Sequence, residues 1–391
     1  MDLSKYTLGF GADVSKKQSE DLLGNQTKNV KHVFMEPNNF YSFKDHFNYE
    51  SLDFIYSENL INTNKFYRVL LKEWFNLCKI GGHIIVKFTE NKILGLDKLK
   101  RELTILFNNK IQIEEIFEGN QGETFISIKK IVETLGKEDN ISKWSFGILT
   151  MGDQDGRVDQ EIASILNQNI PEVEIIVCGK YGGEYLANKK ITKLAFEDDK
   201  NPGWVTGKKN FICKNAKYEN IVITHDKFLF DKEWYKGMKK YGNYFEVLSC
   251  IIETPEGERA GDWLTYGGPW DKIAKIGLLD YQDWDKNGYL DGGFYILKKS
   301  IWEKTKWDEN VFWGQAEDII LSKNWEEAGV VPRINPYSKI INQQWNHGRL
   351  REYKFHDTKL GKLKSGKISL GWYLAKQIIK TKVLGKNKLH H

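Results

Sequence analysis

Cysteine is scarce in this sequence, and the cysteines that are present are widely spaced. The 391 residues include four of them, Cys78, Cys178, Cys213 and Cys250, with no Cys-x-x-Cys pair. A disulfide framework or a structural zinc site needs cysteines in paired or closely spaced patterns, so both are disfavoured. The sequence therefore predicts reduced thiols, most of them buried.

Long apolar runs are also absent. No stretch approaches the roughly 20 apolar residues that a helix needs to cross a bilayer. The first residues, MDLSKYTLGFG, lack the charged-then-apolar pattern of a secretory signal. These absences predict a cytoplasmic protein. The 40% of hydrophobic and 13% of aromatic residues can fill sizeable cores, and the length favours two to three domains.

Positive charge is concentrated at the end of the chain. From Arg349 to His391, ten Lys and two Arg face Glu352 and Asp357, a net charge of +10, so the preceding part carries about −5. Residues 372–384 place apolar side chains on one stripe of a short helix and lysines elsewhere. Such a basic amphipathic tail predicts peripheral contact with the inner face of a membrane. We expect no nucleic-acid partner, because no nucleic-acid-binding fold is recognisable beside it.

Strands and helices alternate through residues 1–135. A strand ending in Gly9-Phe10-Gly11 is followed by the apolar strand SLDFIYS and by an amphipathic helix from Phe66 to Leu77. A Gly-Gly turn at 81–82 then feeds another strand, and a helix near 98–108 precedes two late strands. This alternation predicts a mostly parallel, doubly wound α/β sheet.

The same segment resembles the class I S-adenosylmethionine-dependent methyltransferases in its LGFGAD, SLDFIYS and KIGGHIIVKF stretches. The resemblance implies that S-adenosylmethionine is held by Gly9 and Gly11 of the glycine turn and by Glu36 after the second strand. The glycine turn is short, however, and the His that often follows the fourth strand is absent. A methyltransferase-like fold that acts as a scaffold or a dimerisation module is therefore the competing interpretation.

A polar, turn-forming run separates this segment from the next. Residues 136–143 have no apolar periodicity, so we place a linker there and a second domain at 144–348. This domain opens with a strand to Thr150, a helix, and a second strand ending near Cys178, a βαβ unit whose carboxyl strand ends share one edge. The predicted fold class is thus two doubly wound, mostly parallel α/β sheets, followed by the basic helical tail at 349–391.

The chain turns abruptly polar after an apolar strand at 221–223. Thr224, His225 and Asp226 follow its Ile-Val-Ile run. Open α/β sheets bind ligands at the carboxyl ends of their strands, so this cluster stands where a metal or a phosphate would be bound. The alternatives are that Asp226 only caps the following segment and that His225 is structural.

A second constellation lies between residues 288 and 321. Gly292 and Gly293 would let backbone approach a ligand closely, because they carry no side chain. Trp313 offers a flat apolar platform, and Glu317 and Asp318 open a helix that ends near residue 328. Carboxylates in a first turn also oppose the positive end of the helix dipole, which would make their role purely structural.

These clusters, with the βαβ unit before them, resemble the family 2 type of nucleotide-sugar glycosyltransferase with the GT-A fold. The resemblance implies that Asp318 takes the proton from the acceptor hydroxyl, that Glu317 positions the acceptor, and that Mn²⁺ or Mg²⁺ binds the donor diphosphate. The implied metal ligands are Asp226 and His347, the implied donor-binding residues are Thr150, Asp198, Lys208, Lys209, His225 and Asp226, and the implied acceptor-binding residues are Gly292, Gly293 and Trp313.

Several of these positions are also compatible with a purely structural role. Family members carry Asp-x-Asp where this chain has Thr224-His225-Asp226, so the first acid is missing. Asp198 belongs equally to a solvated acidic loop, Lys208 and Lys209 to an exposed helix face, and a lone His in a loop, like His347, is often structural.

The predicted function is transfer of a sugar, with inversion, from a nucleotide-sugar donor to a glycan or lipid-linked glycan acceptor. Two alternatives stay open. One is a bifunctional enzyme that also methylates the sugar. The other is a non-catalytic protein that binds glycans through an aromatic cleft. The sequence leaves open whether the chain forms a homo-oligomer.

Overall fold

A computed structural model describes residues 9–11, 30–32, 47–63, 65–119, 122–134, 141–152, 154–265, 277–344 and 354–355. Glu36, His347 and the predicted tail helix at 372–384 lie outside these ranges, so what was predicted for them stays a prediction. The chain divides into two compact units. Unit 1 comprises Met1–Lys137 with Gln282–Trp284, and unit 2 comprises Glu138–Tyr281 with Asp285–His391.

Unit 1 is built on a six-stranded sheet. Its elements are β1 (Gly9–Gly11), β2 (Val30–His32), β3 (Leu52–Glu58), α1 (Tyr67–Leu77), β4 (Cys78–Thr89), α2 (Leu96–Phe107), β5 (Ile111–Glu118) and β6 (Glu123–Lys130). The sheet order is β2-β1-β3-β4-β6-β5. The first four strands are parallel, and β6 runs antiparallel between β4 and β5.

The mostly parallel sheet that the sequence predicted for unit 1 is present, with one local difference. The predicted Gly-Gly turn is wrong, because Gly81 and Gly82 lie inside β4. Gly81 has φ +80°, and a Cβ on Gly82 would lie 2.8 Å from the Asp53 carbonyl oxygen, so neither position suits a side chain. The methyltransferase resemblance stays a prediction.

In unit 2, the described residues form two sheets. Its elements are β7 (Lys143–Leu149), α3 (Asp155–Leu166), β8 (Glu172–Cys178), β9 (Ile191–Leu194), α4 (Val205–Asn215), β10 (Asn220–His225), β11 (Phe228–Phe230), α5 (Trp234–Tyr241), β12 (Val247–Glu253), β13 (Leu264–Thr265), β14 (Gly277–Leu278), β15 (Gly288–Tyr289), β16 (Phe294–Lys298), α6 (Lys299–Lys304), α7 (Glu317–Glu327), β17 (Arg333–Asn342) and β18 (Lys354–Phe355). The large sheet has the order β11-β17-β12-β16-β10-β7-β8-β9, and the small one has the order β15-β13-β14-β18.

The large sheet reverses its strand order at β7. From β7 the chain proceeds outward through β8 and β9, and it then crosses to the other side of β7 to form β10, all four strands being parallel. β16 lies antiparallel between β10 and β12. The parallel part follows the prediction, whereas the antiparallel β16 was not predicted. Because it runs in the opposite direction, β16 begins where β10 ends, so Gly292 and Gly293 lie at the carboxyl edge of β7 and β10.

Large apolar side chains hold the large sheet. Trp144 and Phe146 of β7 are fully buried and make edge-on ring contacts with Trp234 of α5, at centroid distances of 5.4 and 5.6 Å. Central strands of this kind are continuous apolar runs because both faces of the sheet are covered. The core thereby fixes the strand ends that carry polar residues.

The prediction of unpaired, mostly buried thiols is confirmed. All four cysteines are buried and unpaired, and burial raises the pKa of Cys78 and of Cys178 to about 12, so both thiols stay protonated. Among the residues that the structure describes, no helix combines the length and the apolar character needed to cross a bilayer.

A buried lysine at the opposite edge of the sheet predicts a pH-dependent stability. Lys298 of β16 is fully buried, its Nζ donates to Asn220 Oδ1 and to Asn243 Oδ1 at 2.5 and 2.8 Å, and burial lowers its pKa to about 7. An unfolded lysine titrates near 10.4. Between these two values the unfolded chain binds more protons, so stability should rise with pH, by roughly 2–4 kcal/mol between pH 7 and 9.5.

Other groups titrate over the same pH range, so the contribution of Lys298 is measured as a difference between the wild type and a variant. The pH dependence of the free energy of unfolding, followed by tryptophan fluorescence in denaturant, is compared between the wild type and Lys298→Met. The wild type should gain stability relative to this variant as pH rises. The exposed Lys190→Met is the control and should run parallel to the wild type. Parallel curves for Lys298→Met would contradict the prediction.

Candidate functional site

Most of the residues singled out in the sequence meet at one edge of the large sheet. The edge is formed by the ends of β7 and β10, by the start of β16, and by the helices α4 and α7. The backbone N–H of Asp226 donates to Leu149 O, and that of His225 donates to Gly293 O, both at 3.1 Å, which ties these segments together. A strand-order reversal of this kind opens a crevice at the carboxyl strand ends, where open α/β sheets bind ligands.

Lys208 connects β7 with the loop after β9. Its ammonium donates to Thr150 O at 2.6 Å and pairs with Asp198 Oδ1 at 2.6 Å. Thr150 and Asp198 are buried as well, and Asp198 Oδ2 has no hydrogen-bond partner among the described residues. The alternatives of an exposed Lys208 and a solvated Asp198 are therefore wrong. A ligand at this point would meet an ion pair whose charges already balance.

Lys209 connects β16 with the start of α7. Its ammonium is fully buried, donates to Gly292 O at 2.7 Å and pairs with Glu317 Oε1 at 3.1 Å. It also lies 4.9 Å from the ring centroid of Tyr295, where a cation is attracted by the ring face. The exposed-lysine alternative is wrong here too, and Lys209 holds the Glu317 carboxylate beside Gly292.

Gly292 lacks a side chain for a different reason from the one expected. A Cβ built on Gly292 would lie 2.6 Å from Glu317 Oε1. The glycine thus makes room for the protein's own carboxylate, so its expected close approach to a ligand is not what the local packing requires. The acceptor-binding roles of Gly292 and Gly293 stay predictions.

Three carboxylates gather at the start of α7. Asp318 lies beside Glu317 of its own helix and Asp291, which accepts a hydrogen bond from Gly293 N at 2.8 Å. Burial, reinforced by the Glu317 and Asp291 charges, raises the pKa of Asp318 to about 8, while Ile319 N–H and Lys209 act in the opposite direction. A carboxyl group with this pKa gains and loses its proton near pH 8, and proton transfer by a side chain is most efficient when its pKa lies near the working pH.

The backbone before α7 adopts an uncommon conformation. Ala316 has φ 60° and ψ 40°. This is the left-handed region, which residues other than Gly, Asn and Asp seldom adopt. Gly314, two residues earlier, also has a positive φ of 78°. These turns redirect the chain so that its first helical residues, Glu317 and Asp318, face Gly292. Uncommon backbone of this kind concentrates at functional sites.

Two further titratable groups lie at the end of β10. Burial and the ammonium groups of Lys209, Lys227 and Lys208 lower the pKa of His225 well below its usual value, so its imidazole is neutral. His225 Nε2 is buried without a hydrogen-bond partner among the described residues. Glu161 of α3 is also fully buried; burial, together with the nearby Asp226 charge, raises its pKa well above the usual range, so it is protonated.

Glu161 and Asp291 are the site residues that sequence reasoning missed. Glu161 left a signal, because it stands on the apolar stripe of α3 with Val158 and Ile165, where an ionisable side chain is out of place. Asp291 gave no signal in the sequence beyond its position before two glycines. Its proximity to Asp318 follows from the antiparallel course of β16.

A divalent cation fits this edge only as a partly protein-bound ion. No group of three or more His, Cys, Asp or Glu side chains with metal-site geometry occurs among the residues that the structure describes. The donor set is Asp226 and the unpartnered His225 Nε2, and His347 lies outside the described ranges. Mg²⁺ and similar ions that bridge a diphosphate need only one or two protein ligands, the rest coming from phosphate and water.

Trp313 is separate from the buried polar groups. Its side chain is exposed at 48%, and its backbone N–H donates to Gly203 O at 2.8 Å, next to the start of α4. The exposed indole is accessible to a ligand. Its role as an acceptor platform stays a prediction.

Comparison with known proteins gives only distant similarities. No protein-family model matches the chain, and no curated protein matches it. The chain is similar to a solved structure of GalNAc-T7 with UDP, GalNAc and Mn²⁺, at 11% identity and a TM-score of 0.42, over 61% of this chain and 48% of that one. It is also similar to a solved structure of S. aureus TarS residues 1–349, at 15% identity and a TM-score of 0.36, over 51% of this chain and 60% of that one.

A third similarity is to a putative glucose-1-phosphate thymidylyltransferase from Bacillus anthracis in complex with a sucrose. It has 13% identity and a TM-score of 0.32, over 57% of this chain and 98% of that one. The chain spans about half of the first of these three structures and three fifths of the second. At these TM-scores the likeness does not define the fold, so the function has to follow from the chain's own residues.

Proposed function

We propose that this chain is a nucleotide-sugar glycosyltransferase that transfers a sugar to a glycan hydroxyl with inversion. The observation that carries the proposal is the meeting of two groups at one strand-order reversal. Asp226 and His225 stand at the end of β10, and Asp318, whose pKa is raised to about 8, stands at the start of α7. One group suits a diphosphate with its cation, and the other suits an attacking hydroxyl.

The proposed chemistry is a single displacement. The acceptor oxygen attacks the anomeric carbon while its proton passes to the Asp318 carboxylate. The bond from that carbon to the diphosphate oxygen breaks, and the nucleoside diphosphate leaves with the bonding electrons. A carboxylate with a raised pKa is a stronger base than an ordinary one, which helps because a sugar hydroxyl is a poor nucleophile.

The charges at this edge support a cation-assisted donor. Lys208 and Lys209 are neutralised by Asp198 and Glu317, so neither lysine adds net positive charge for a diphosphate. The departing diphosphate therefore needs another source of positive charge. Mn²⁺ or Mg²⁺ held by Asp226 would supply it by neutralising charge on the leaving oxygens. Glu317, fixed by Lys209, would then accept a hydrogen bond from the acceptor.

The test is a thermal-shift screen of the full chain against nucleoside diphosphates, with and without MnCl₂. A specific nucleotide at 100 times its Kd should contribute about 2.7 kcal/mol, which for a unit of this size corresponds to roughly 5–10 °C. We expect such a shift for one nucleotide, larger with Mn²⁺ than without. A nucleotide-dependent shift of the same size with and without Mn²⁺ would contradict the proposed role of the cation. The absence of a shift with every nucleotide would contradict the proposed transferase function.

A matched pair of variants locates the effect. Asp226→Asn should lose the Mn²⁺-dependent part of the shift, because the carboxylate that would bind the ion becomes a neutral amide. Asp199→Asn should keep it, since Asp199 is 82% exposed and pairs with Lys180 at the surface. Equal behaviour of the two variants would place the nucleotide elsewhere.

A further inference from the structure

Unit 2 has a second concave surface, on another face of α4. This groove has a volume of about 620 Å³, within the range of small-molecule sites. Gly207, Asn210, Phe211 and Lys214 line it, a spacing of three and four residues that marks one helix face. Lys208 and Lys209, which bond to Thr150 and Gly292, lie on the other sides of the same helix.

The walls of the groove are aromatic and partly exposed. Phe196, Trp204 and Phe211 are each half-buried, and the Phe196 centroid lies 5.6 Å from that of Trp204 and 6.3 Å from that of Phe211. A core cluster would bury such rings completely. Here the three rings present part of their surface to a cavity that is large enough for a ligand.

The position of Trp204 is fixed by specific contacts. Its indole Nε1 donates to Glu309 O at 2.7 Å. Its ring occupies the space above Gly207, where a Cβ would come within 2.5 Å of it. Glycine inside a helix costs roughly 1 kcal/mol relative to alanine, so this position gives up helix stability for the placement of the ring.

The rim of the groove carries polar groups whose charges cancel. The lining includes the acids Glu197 and Glu309, the lysines Lys214 and Lys306, and the amide of Asn201; Glu197 is also paired with Lys200 at the surface. The lining thus has as many acids as lysines and no cluster of positive charge of the kind that would select a phosphorylated ligand. It also provides hydrogen-bond donors and acceptors, which a purely apolar ligand would leave unmatched.

We propose that this groove binds a neutral saccharide, separately from the crevice at the strand ends. A sugar ring has an apolar C–H face that packs on aromatic rings, and hydroxyls at its edge that match a rim of amide, carboxylate and ammonium groups. The groove would hold a glycan on the protein whether or not that glycan is also the acceptor of the transferred sugar. Binding there does not depend on transferase activity.

The test uses the full chain and three neutral probes, namely cellohexaose, maltohexaose and chitohexaose. Binding is followed by isothermal titration calorimetry and by saturation-transfer NMR. We expect at least one probe to bind, and Phe211→Ala to weaken it roughly five- to tenfold, about what one aromatic contact contributes. Ala195→Arg should abolish binding, because Ala195 is an exposed lining residue and the new side chain fills the groove without removing packed atoms.

Two kinds of control separate this site from the other. Tyr337→Ala removes a comparably exposed aromatic side chain of β17 and should bind as the wild type does. Asp226→Asn and Asp318→Asn should also retain saccharide binding, even if they abolish turnover. No binding of any probe at roughly 20 mM, a concentration well above the millimolar Kd of weak ligands, unchanged binding in Ala195→Arg, or loss of binding in Asp318→Asn would overturn the proposal. So would displacement of the saccharide by uridine or adenosine.

Discussion

Asp318→Asn is expected to lower the rate of nucleotide-sugar turnover by about 10²–10⁴-fold, the usual contribution of a positioned general base. The amide keeps the size of the side chain but cannot accept the proton. Donor affinity should be unchanged, because Asp318 belongs to the group that we propose for the acceptor hydroxyl, apart from Asp226 and His225. Release of nucleoside diphosphate from nucleotide sugars, with water or a glycan as acceptor, gives the rate.

The pH dependence of the wild type provides an independent readout. Because burial and the neighbouring carboxylates raise the pKa of Asp318 to about 8, the active carboxylate form accumulates as pH rises. The rate should therefore increase about tenfold per pH unit below 8 and level off above it. Asp318→Asn should lose this rise.

The control for this variant is Asp308→Asn, an exposed acid in the segment before α7 whose Oδ1 accepts hydrogen bonds from Asn310. It should retain wild-type activity and pH dependence. If Asp318→Asn kept more than a tenth of the wild-type rate, or kept the wild-type pH profile, Asp318 would not be the base.

Lys209→Met is expected to destabilise unit 2 by about 3–5 kcal/mol, the usual cost of removing one partner from a buried ion pair. The lysine side chain is fully buried and its Glu317 partner is nearly so. Without the ammonium, a carboxylate and the Gly292 carbonyl are left in the interior with no cationic partner. Chemical denaturation followed by tryptophan fluorescence measures the loss.

A second substitution distinguishes the ion pair from simple packing. Lys209→Met combined with Glu317→Gln removes both charges, so much of the lost stability should return. Lys200→Met is the control, because Lys200 pairs with Glu197 at the surface, where the two side chains are 70% and 69% exposed. Its unfolding midpoint should not change. If the double variant were as unstable as Lys209→Met, the loss of stability would come from packing and not from the ion pair.

Lys209→Met also tests whether Lys209 influences the proposed base, Asp318. Lys209 acts to lower the pKa of Asp318, so its removal should raise that pKa further. The pH–rate profile of Lys209→Met should therefore move to higher pH. A purely structural lysine would reduce the amount of active protein without moving the profile.

The sequence by itself determined several of the strands and helices and most of the chemistry-bearing residues. The strands β7, β8 and β10 could be located because buried parallel strands are short apolar runs. The polar break after Ile223 lies two residues before the observed end of β10 at His225. The helix that begins at Glu317 was also found at its observed start. These signals are local, since they depend on residues within a few positions of one another.

The tertiary structure alone decided how those residues meet. β16 turned out antiparallel, which brings Asp291 and Gly292 to the edge where β10 ends. Lys208 and Lys209, expected at a surface or on a ligand, are buried against Asp198 and Glu317. Such pairings join residues about a hundred positions apart in the case of Lys209 and Glu317. No periodicity encodes them, because they arise only when the strand order places the two segments side by side.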